Sequence, residues 1–186
     1  MSNSDFSLDL ELWLNQDLIK RQNRLKSAFL VLLEDLANSF PNDSLVQIHS
    51  SSKGKKISKG NDLLGFPYQV LDIIRDFDGE KGLNIRVLNW FGNGLFLLIY
   101  HGVTIKQNSE ALLENGFAFS LTESPWDYPE MIINRSFSKK TDELHLIKSQ
   151  PVVWFKELQV LEKPESTLHI LQSEIGNLLE ILKLSN

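Results

Sequence analysis

Apolar positions are densest over residues 83–102, LNIRVLNWFGNGLFLLIYHG, and their order predicts a β-hairpin: two runs rich in Ile, Val, Leu and aromatics meet at Gly92-Asn93-Gly94. Asn-Gly between such runs is the strongest short-range hairpin signal, because both residues tolerate positive φ. A two-residue turn would pair Phe91 with Phe96 and Asn89 with Leu98. A three-residue loop, with Gly94 left-handed, would instead pair Phe91 with Leu95, Val87 with Ile99 and Leu88 with Leu98. The second register is preferred, since it lines up Ile85, Val87 and Phe91 with Leu95, Leu97 and Ile99 on one face. Residues 95–100 are apolar at every position, which predicts an interior strand covered on both sides.

Elsewhere the period changes. Leu14, Leu18, Leu25, Phe29, Leu32, Leu33 and Leu36 recur at helical spacing and predict a long helix over residues 14–39, ended at Phe40-Pro41. Lys20, Arg21, Arg24 and Lys26 in its middle read as a solvated face. Residues 45–49 roughly alternate and predict a strand. Residues 69–77 favour another, after a compact turn at Gly65-Phe66-Pro67-Tyr68. The acids Asp76, Asp78 and Glu80 form a solvated connection, too short for an EF-hand loop and without its closing glutamate. Residues 109–115 predict a short serine-capped helix closed by Gly116. Residues 117–121, 131–137 and 143–147 read as strands, and 152–161 as a strand or a helix. Leu168, Leu171, Ile175, Leu178, Leu179 and Leu182 mark a final helix over 166–184, started by Pro164 and Glu165.

The expected fold is α+β: one domain over residues 1–186, with 1–7 disordered. A mainly antiparallel sheet of about five to seven strands surrounds the central hairpin, covered by the long N-terminal and the C-terminal helix. Ordinary composition, 42% hydrophobic and 23% charged, argues against global disorder. A net charge of −5 gives no bulk reason to expect nucleic acid. With no cysteine, disulfides, thiolate nucleophiles and thiolate metal sites are excluded. Without a basic leader or a long apolar run, a cytoplasmic protein off the membrane is expected.

Candidate chemistry is sparse. His49, His101 and His145 fall in predicted strands and His169 on the last helix, with no metal-ligand spacing among them. No Walker A loop, dinucleotide fingerprint or nucleophile elbow occurs, and the expectation is no metal and no cofactor. The most biased stretch, SSSKGKKISKGN, reads as a mobile hairpin tip; Lys53, Lys55, Lys56 and Lys59 there are candidates for gripping an anion. Trp126 and Tyr128 lie in a proline-flanked loop that either folds down as a lid or meets a partner. Tyr100 and His101, at the end of the hairpin, are candidate pocket residues. Two functions follow. The favoured one is a non-enzymatic binding or adaptor protein, using the Trp126 and Tyr128 surface with lysine charge and taking a protein partner or small anionic ligand. The alternative is a small-molecule-binding protein or enzyme, with a pocket between sheet and N-terminal helix and Tyr100 and His101 at its mouth.

Overall fold

The computed structural model describes residues 7–105, 108–147 and 150–184. Apart from Ser7, the expected disorder over residues 1–7 lies outside the described residues. Four consecutive strands, β1 (Lys56–Leu63), β2 (Phe66–Arg75), β3 (Leu83–Trp90) and β4 (Gly94–His101), make an antiparallel meander. With β5 (Ala118–Ser120), β6 (Phe137–Ser138) and β7 (Val152–Leu158) they form a seven-stranded antiparallel sheet ordered β1-β2-β3-β4-β7-β5-β6. The fold is therefore α+β, around the expected hairpin. Residues 152–158 settle as a strand.

The hairpin's faces are as expected, but its register is not. Val87 pairs with Leu97, Leu88 with Phe96 and Trp90 with Gly94, two residues away from the preferred alignment. A slip of two preserves the faces: Ile85, Val87, Leu95, Leu97 and Ile99 still share one core. The loop is Phe91-Gly92-Asn93, closed by the Asn93 amide donating to the Trp90 carbonyl at 2.9 Å. Gly92 (φ +84) takes the left-handed position, and Gly94 (φ +134) is also positive. Asn93 is not, so the Asn-Gly pair is not used as a turn centre. What moves the loop is Phe91. It leaves the strand to meet Phe29 edge-on at 5.9 Å, while its amide donates to the Pro67 carbonyl.

One face of the sheet lies under α2 (Gln16–Asn38), α3 (Asn42–Ile48) and α6 (Pro164–Lys183), which bury Leu33, Leu36, Leu45, Ile48, Leu171, Ile175 and Leu178 against it. The other lies under α5 (Tyr128–Asn134), whose Met131 packs with Val70, Leu88, Trp90 and Leu98. Before α2 a short α1 (Leu10–Leu14) is set off by Asn15, whose side chain caps α2 by accepting from the Leu18 amide. A bulge between Asp72 and Ile74 lets Ile73 and Ile74 both enter the helix-side core.

Three predicted strands are helical. Residues 42–48 form α3 because Asn42, Asp43 and Ser44 open a turn after Pro41, and Leu45 and Ile48, three apart, are the pair that is buried. Val46, which a strand would place on the same side as Ile48, is exposed. Residues 128–134 form α5, with Pro129 in its first turn and Arg135 (φ +56) closing it; of the expected strand only Phe137 is extended, and together with Ser138 it forms β6. Thr141–Ile147 is a 3-10 helix. The helix α4 (Ser109–Glu114) sits where expected, but Asn108, not Ser109, caps it. Asp76 is no solvated acid: it is buried and 2.7 Å from His49. Asp78 is a turn former, accepting from the amides of Lys81 and Glu80, which hold its carboxyl below the usual range.

The lysine-rich stretch is not a hairpin tip. From Lys56 onward it is β1, and the tip is Leu64-Gly65, both at positive φ (+51 and +86) between the pair Leu63 and Phe66. That is a type I′ geometry, in which leucine is strained and asparagine is at ease. Leu64 is 46% exposed, so little packing is at stake. Leu64→Asn is expected to stabilise the protein by up to about 1 kcal/mol, read as a higher urea midpoint; a lower midpoint would mean that the Leu64 side chain holds the tip.

Candidate functional site

The two charges inside apolar strands, Asp72 in β2 and Arg86 in β3, are cross-strand partners on the α5 side of the sheet. Arg86 grips the carboxylate with both ends of its fork, Nε to Oδ1 at 2.7 Å and Nη2 to Oδ2 at 3.2 Å, and Asn84 donates to Oδ1 at 2.9 Å. The guanidinium lies between the rings of Phe77 (5.6 Å) and Tyr128 (6.0 Å), and its Nη1 reaches the Tyr128 hydroxyl at 3.4 Å. Burial is the strongest single influence and works against its charge, but Asp72 and Tyr128 together outweigh it and the net shift is upward. Beside it, Trp126 stacks on Tyr100 (5.6 Å, planes 15° apart) and meets Phe77 at 5.5 Å, and the Tyr100 hydroxyl donates to the Asp78 carbonyl. The space left among these side chains is about 20 Å3, no more than one water. The loop that carries Trp126 and Tyr128 thus folds down on the sheet as a lid, with Trp126 still 52% exposed along its outer side.

The other sequence candidates do not converge. Tyr100 and His101 are neighbours in a strand, so they face opposite ways: Tyr100 lies under Trp126, while His101 is fully buried on the helix side, level with Leu83 and Val152. The four lysines are separated by strand pairing and by a helix end. Lys55 is structural, its ammonium donating to the carbonyls of Ala37 (2.7 Å) and Phe40 (2.8 Å) at the end of α2. Lys53 precedes β1 and bonds Arg75 through its backbone. Lys56 lies opposite Asp72 on the α5 side, and Lys59 opposite Gln69 on the helix side.

Lys59 does have company there, from a residue the sequence left on a solvated face. A cleft of about 350 Å3 runs between α2 and the β1–β2 hairpin, lined by Lys26, Ser27 and Leu30 on one side and Lys59, Gly60 and Asn61 on the other. Pro67, Tyr68, Gln69 and Phe91 form its remaining wall. Gln69 is fixed there, donating to the Lys26 carbonyl at 2.8 Å and accepting from Asn89 at 3.2 Å. The end of the Tyr68 ring lies over Gly60, and a Cβ there would have to displace it. No hydrogen bond or ion pair with another described residue engages the side chains of Lys26, Ser27, Lys59 or Asn61, while the Tyr68 ring turns to the other face and packs beside Trp90. The cleft is large enough for part of a ligand, and its polar groups are all able to donate. It lies on the far side of the sheet's hairpin from Tyr100 and His101, neither of which lines it.

Sequence reasoning missed Arg86 and Asp72, although one opposite charge in each of two adjacent apolar strands is the available signal, since a buried charge needs a partner. It also missed Lys26, for which no local signal exists; its place depends on how α2 docks. Among the described residues no group of three or more His, Cys, Asp or Glu is arranged to hold a metal ion, and no helix is long and apolar enough to cross a membrane. Comparison with protein-family models, with curated proteins and with solved structures finds no match to this chain.

Two outcomes follow for the lid. Arg86→Leu strands the Asp72 carboxylate in the interior and is expected to cost about 3–5 kcal/mol, with much of the loss recovered when Asp72→Leu is added; equal stability of parent and single variant would sink the assignment. Burial holds the Tyr128 phenol above its ordinary value, against the pull of Arg86. A raised folded-state value contributes stability below the unfolded value of about 10, lost as pH rises through the folded value. The parent should therefore lose more stability than Tyr128→Phe above pH 10, in parallel denaturant titrations; identical pH slopes would contradict this.

Proposed function

We propose that this protein is a non-enzymatic binding module that takes an extended acidic segment of a partner protein into the cleft between α2 and β1. The observation that carries this reading is the convergence of two lysines, the Ser27 hydroxyl and the Asn61 amide, all uncommitted within the described protein, on one cleft. Two ammonium groups supply attraction for carboxylate or phosphate without a fixed geometry. The ring of Phe91, held against Phe29 of α2, offers an apolar wall for a side chain next to the acid. An extended segment suits the place because β1 is the outermost strand of the sheet. Its outward backbone groups are available to pair with an added strand.

The test is an array of acidic peptides probed with the parent and with Lys26→Glu combined with Lys59→Glu. The expected result is retention by the parent and a loss of about tenfold or more, 1.4 kcal/mol, in the variant, with the parent's binding weakening as salt rises because exposed charges are screened within about 10 Å at 0.1 M. Melting temperature should be unchanged, since neither ammonium holds the fold. Equal retention by both proteins, or binding indifferent to salt, would overturn the proposal.

A further inference from the structure

The long apolar stripe of α2 is only half used. From Phe29 to Leu36 it packs on the sheet, but every residue from Ser7 to Leu25 is exposed. Eight large apolar side chains stand in that arm: Leu8, Leu10, Leu12, Trp13 (69% exposed), Leu14, Leu18, Ile19 and Leu25. Contiguous apolar surface of this extent marks a contact site. At its inner end the stripe runs into a mainly apolar cleft of about 270 Å3 between α2 and the segment leading into α6, lined by Leu25, Phe29, Leu32, Val160 and Leu161 with Glu162 as its one charged residue. Val160 and Leu161 there are also exposed, at 46% and 38%.

The charges of the arm are segregated. Residues 7–19 carry Asp9, Glu11 and Asp17 and no basic side chain, whereas residues 20–33 carry Lys20, Arg21, Arg24 and Lys26 and no acid. Within one chain the two halves scarcely neutralise each other; the contact between Asp17 and Arg21 is 3.9 Å long, with both side chains at least 70% exposed. A second copy, laid antiparallel about a two-fold axis near Ile19, would satisfy both halves at once. Asp17 then meets Lys20 and Arg21 of the other copy, and the acids of α1 approach Arg24. The lengths agree as well. The centre of α1, Leu12, lies seven residues before Ile19, about 10 Å along a helix. The mouth of the apolar cleft at Leu25 lies six residues after it, about 9 Å. The break at Asn15 (ψ 79) frees α1 to turn across the partner helix.

We propose that this chain forms a homodimer through its N-terminal arms: antiparallel packing of the first half of α2, with α1 of each copy seated in the apolar cleft of the other. The interface is isologous, stripe on stripe and acid on base, so it closes after two copies. A parallel arrangement would oppose acid to acid. A membrane surface is a poorer occupant, since Asp9, Glu11 and Asp17 flank Trp13 and are repelled by anionic headgroups. The arm interface is separate from the lysine cleft and stands whether or not that cleft binds an acidic segment.

Sedimentation equilibrium on the full chain tests this. The parent, 21.3 kDa as a monomer, should run at twice that mass at micromolar concentration. Leu18→Glu with Trp13→Glu should run as a monomer with its far-ultraviolet circular dichroism retained, because both side chains are exposed and neither belongs to the core. Charge variants give a second reading. Asp9→Lys, Glu11→Lys and Asp17→Lys together, and separately Lys20→Glu, Arg21→Glu and Arg24→Glu together, should each weaken self-association at least tenfold, and mixing the two should restore a dimer. A monomeric parent at 100-fold higher concentration, a dimer untouched by Leu18→Glu with Trp13→Glu, or no recovery on mixing would overturn the proposal. So would a monomeric parent that sediments with vesicles of phosphatidylcholine and phosphatidylserine, the result that would assign the arm to lipid.

Discussion

A strand apolar at every position has to be covered twice, and most of this architecture follows from that demand of β4. Leu95, Leu97 and Ile99 face one way and Phe96, Leu98 and Tyr100 the other, all buried. An antiparallel meander cannot cover both faces of its own centre. Helices α2, α3 and α6 supply one layer. After β4 the chain forms β5 toward the far edge, lays α5 over the opposite face, adds β6, and returns as β7 between β4 and β5. Inserting β7 there gives β4 a neighbour on each side, so its backbone groups are paired within the interior.

The second layer is thin, and polar chemistry fills part of what apolar burial does not. Among the described residues, the elements over the strands around Asp72 and Arg86 are one seven-residue helix and the 3-10 turn Pro125–Asp127. The fork-shaped Arg86 ties β2 to β3 and, through its ring contacts and Tyr128, ties the lid to the sheet. Such a pair contributes specificity of docking more than net stability, since its desolvation offsets most of its attraction. Trp126 then seals the edge by stacking on Tyr100, which explains why a tryptophan sits half-exposed between two prolines.

The sequence was most legible where period and length agreed. The hairpin's faces, the long helices and the class of the fold were readable from spacing alone. Register was not, because a slip of two residues leaves the faces alike, and the choice was made by Phe91 reaching a residue, Phe29, far away in sequence. Residues 45–49, 131–137 and 143–147 misled for another reason: over five to seven residues, apolar spacing fits two periods equally well. The lysine stretch misled by composition. Its serines and glycines suggested a loop, but pairing with β2 sends Lys56 and Lys59 to opposite faces, and Lys55 goes to the end of α2. What remains of the anion reading is Lys59, together with a lysine from the helix that no local pattern could have supplied.

The stripe along α2 shows most clearly what periodicity can and cannot say. It marks a face as apolar, from Leu14 to Leu36, without saying which part the chain itself will cover. The covered half has a consequence for the other. A free helix of some ten residues is marginal in water, because its first turn is costly to nucleate. Here the turn is already formed: residues 29–36 are held on the sheet, and the exposed half of α2 need only propagate from them. The Asn15 cap then closes its far end by satisfying the Leu18 amide. The fold thus presents an apolar helical surface already shaped for contact, and the ordering cost of binding there is reduced by the burial of the same helix in the core.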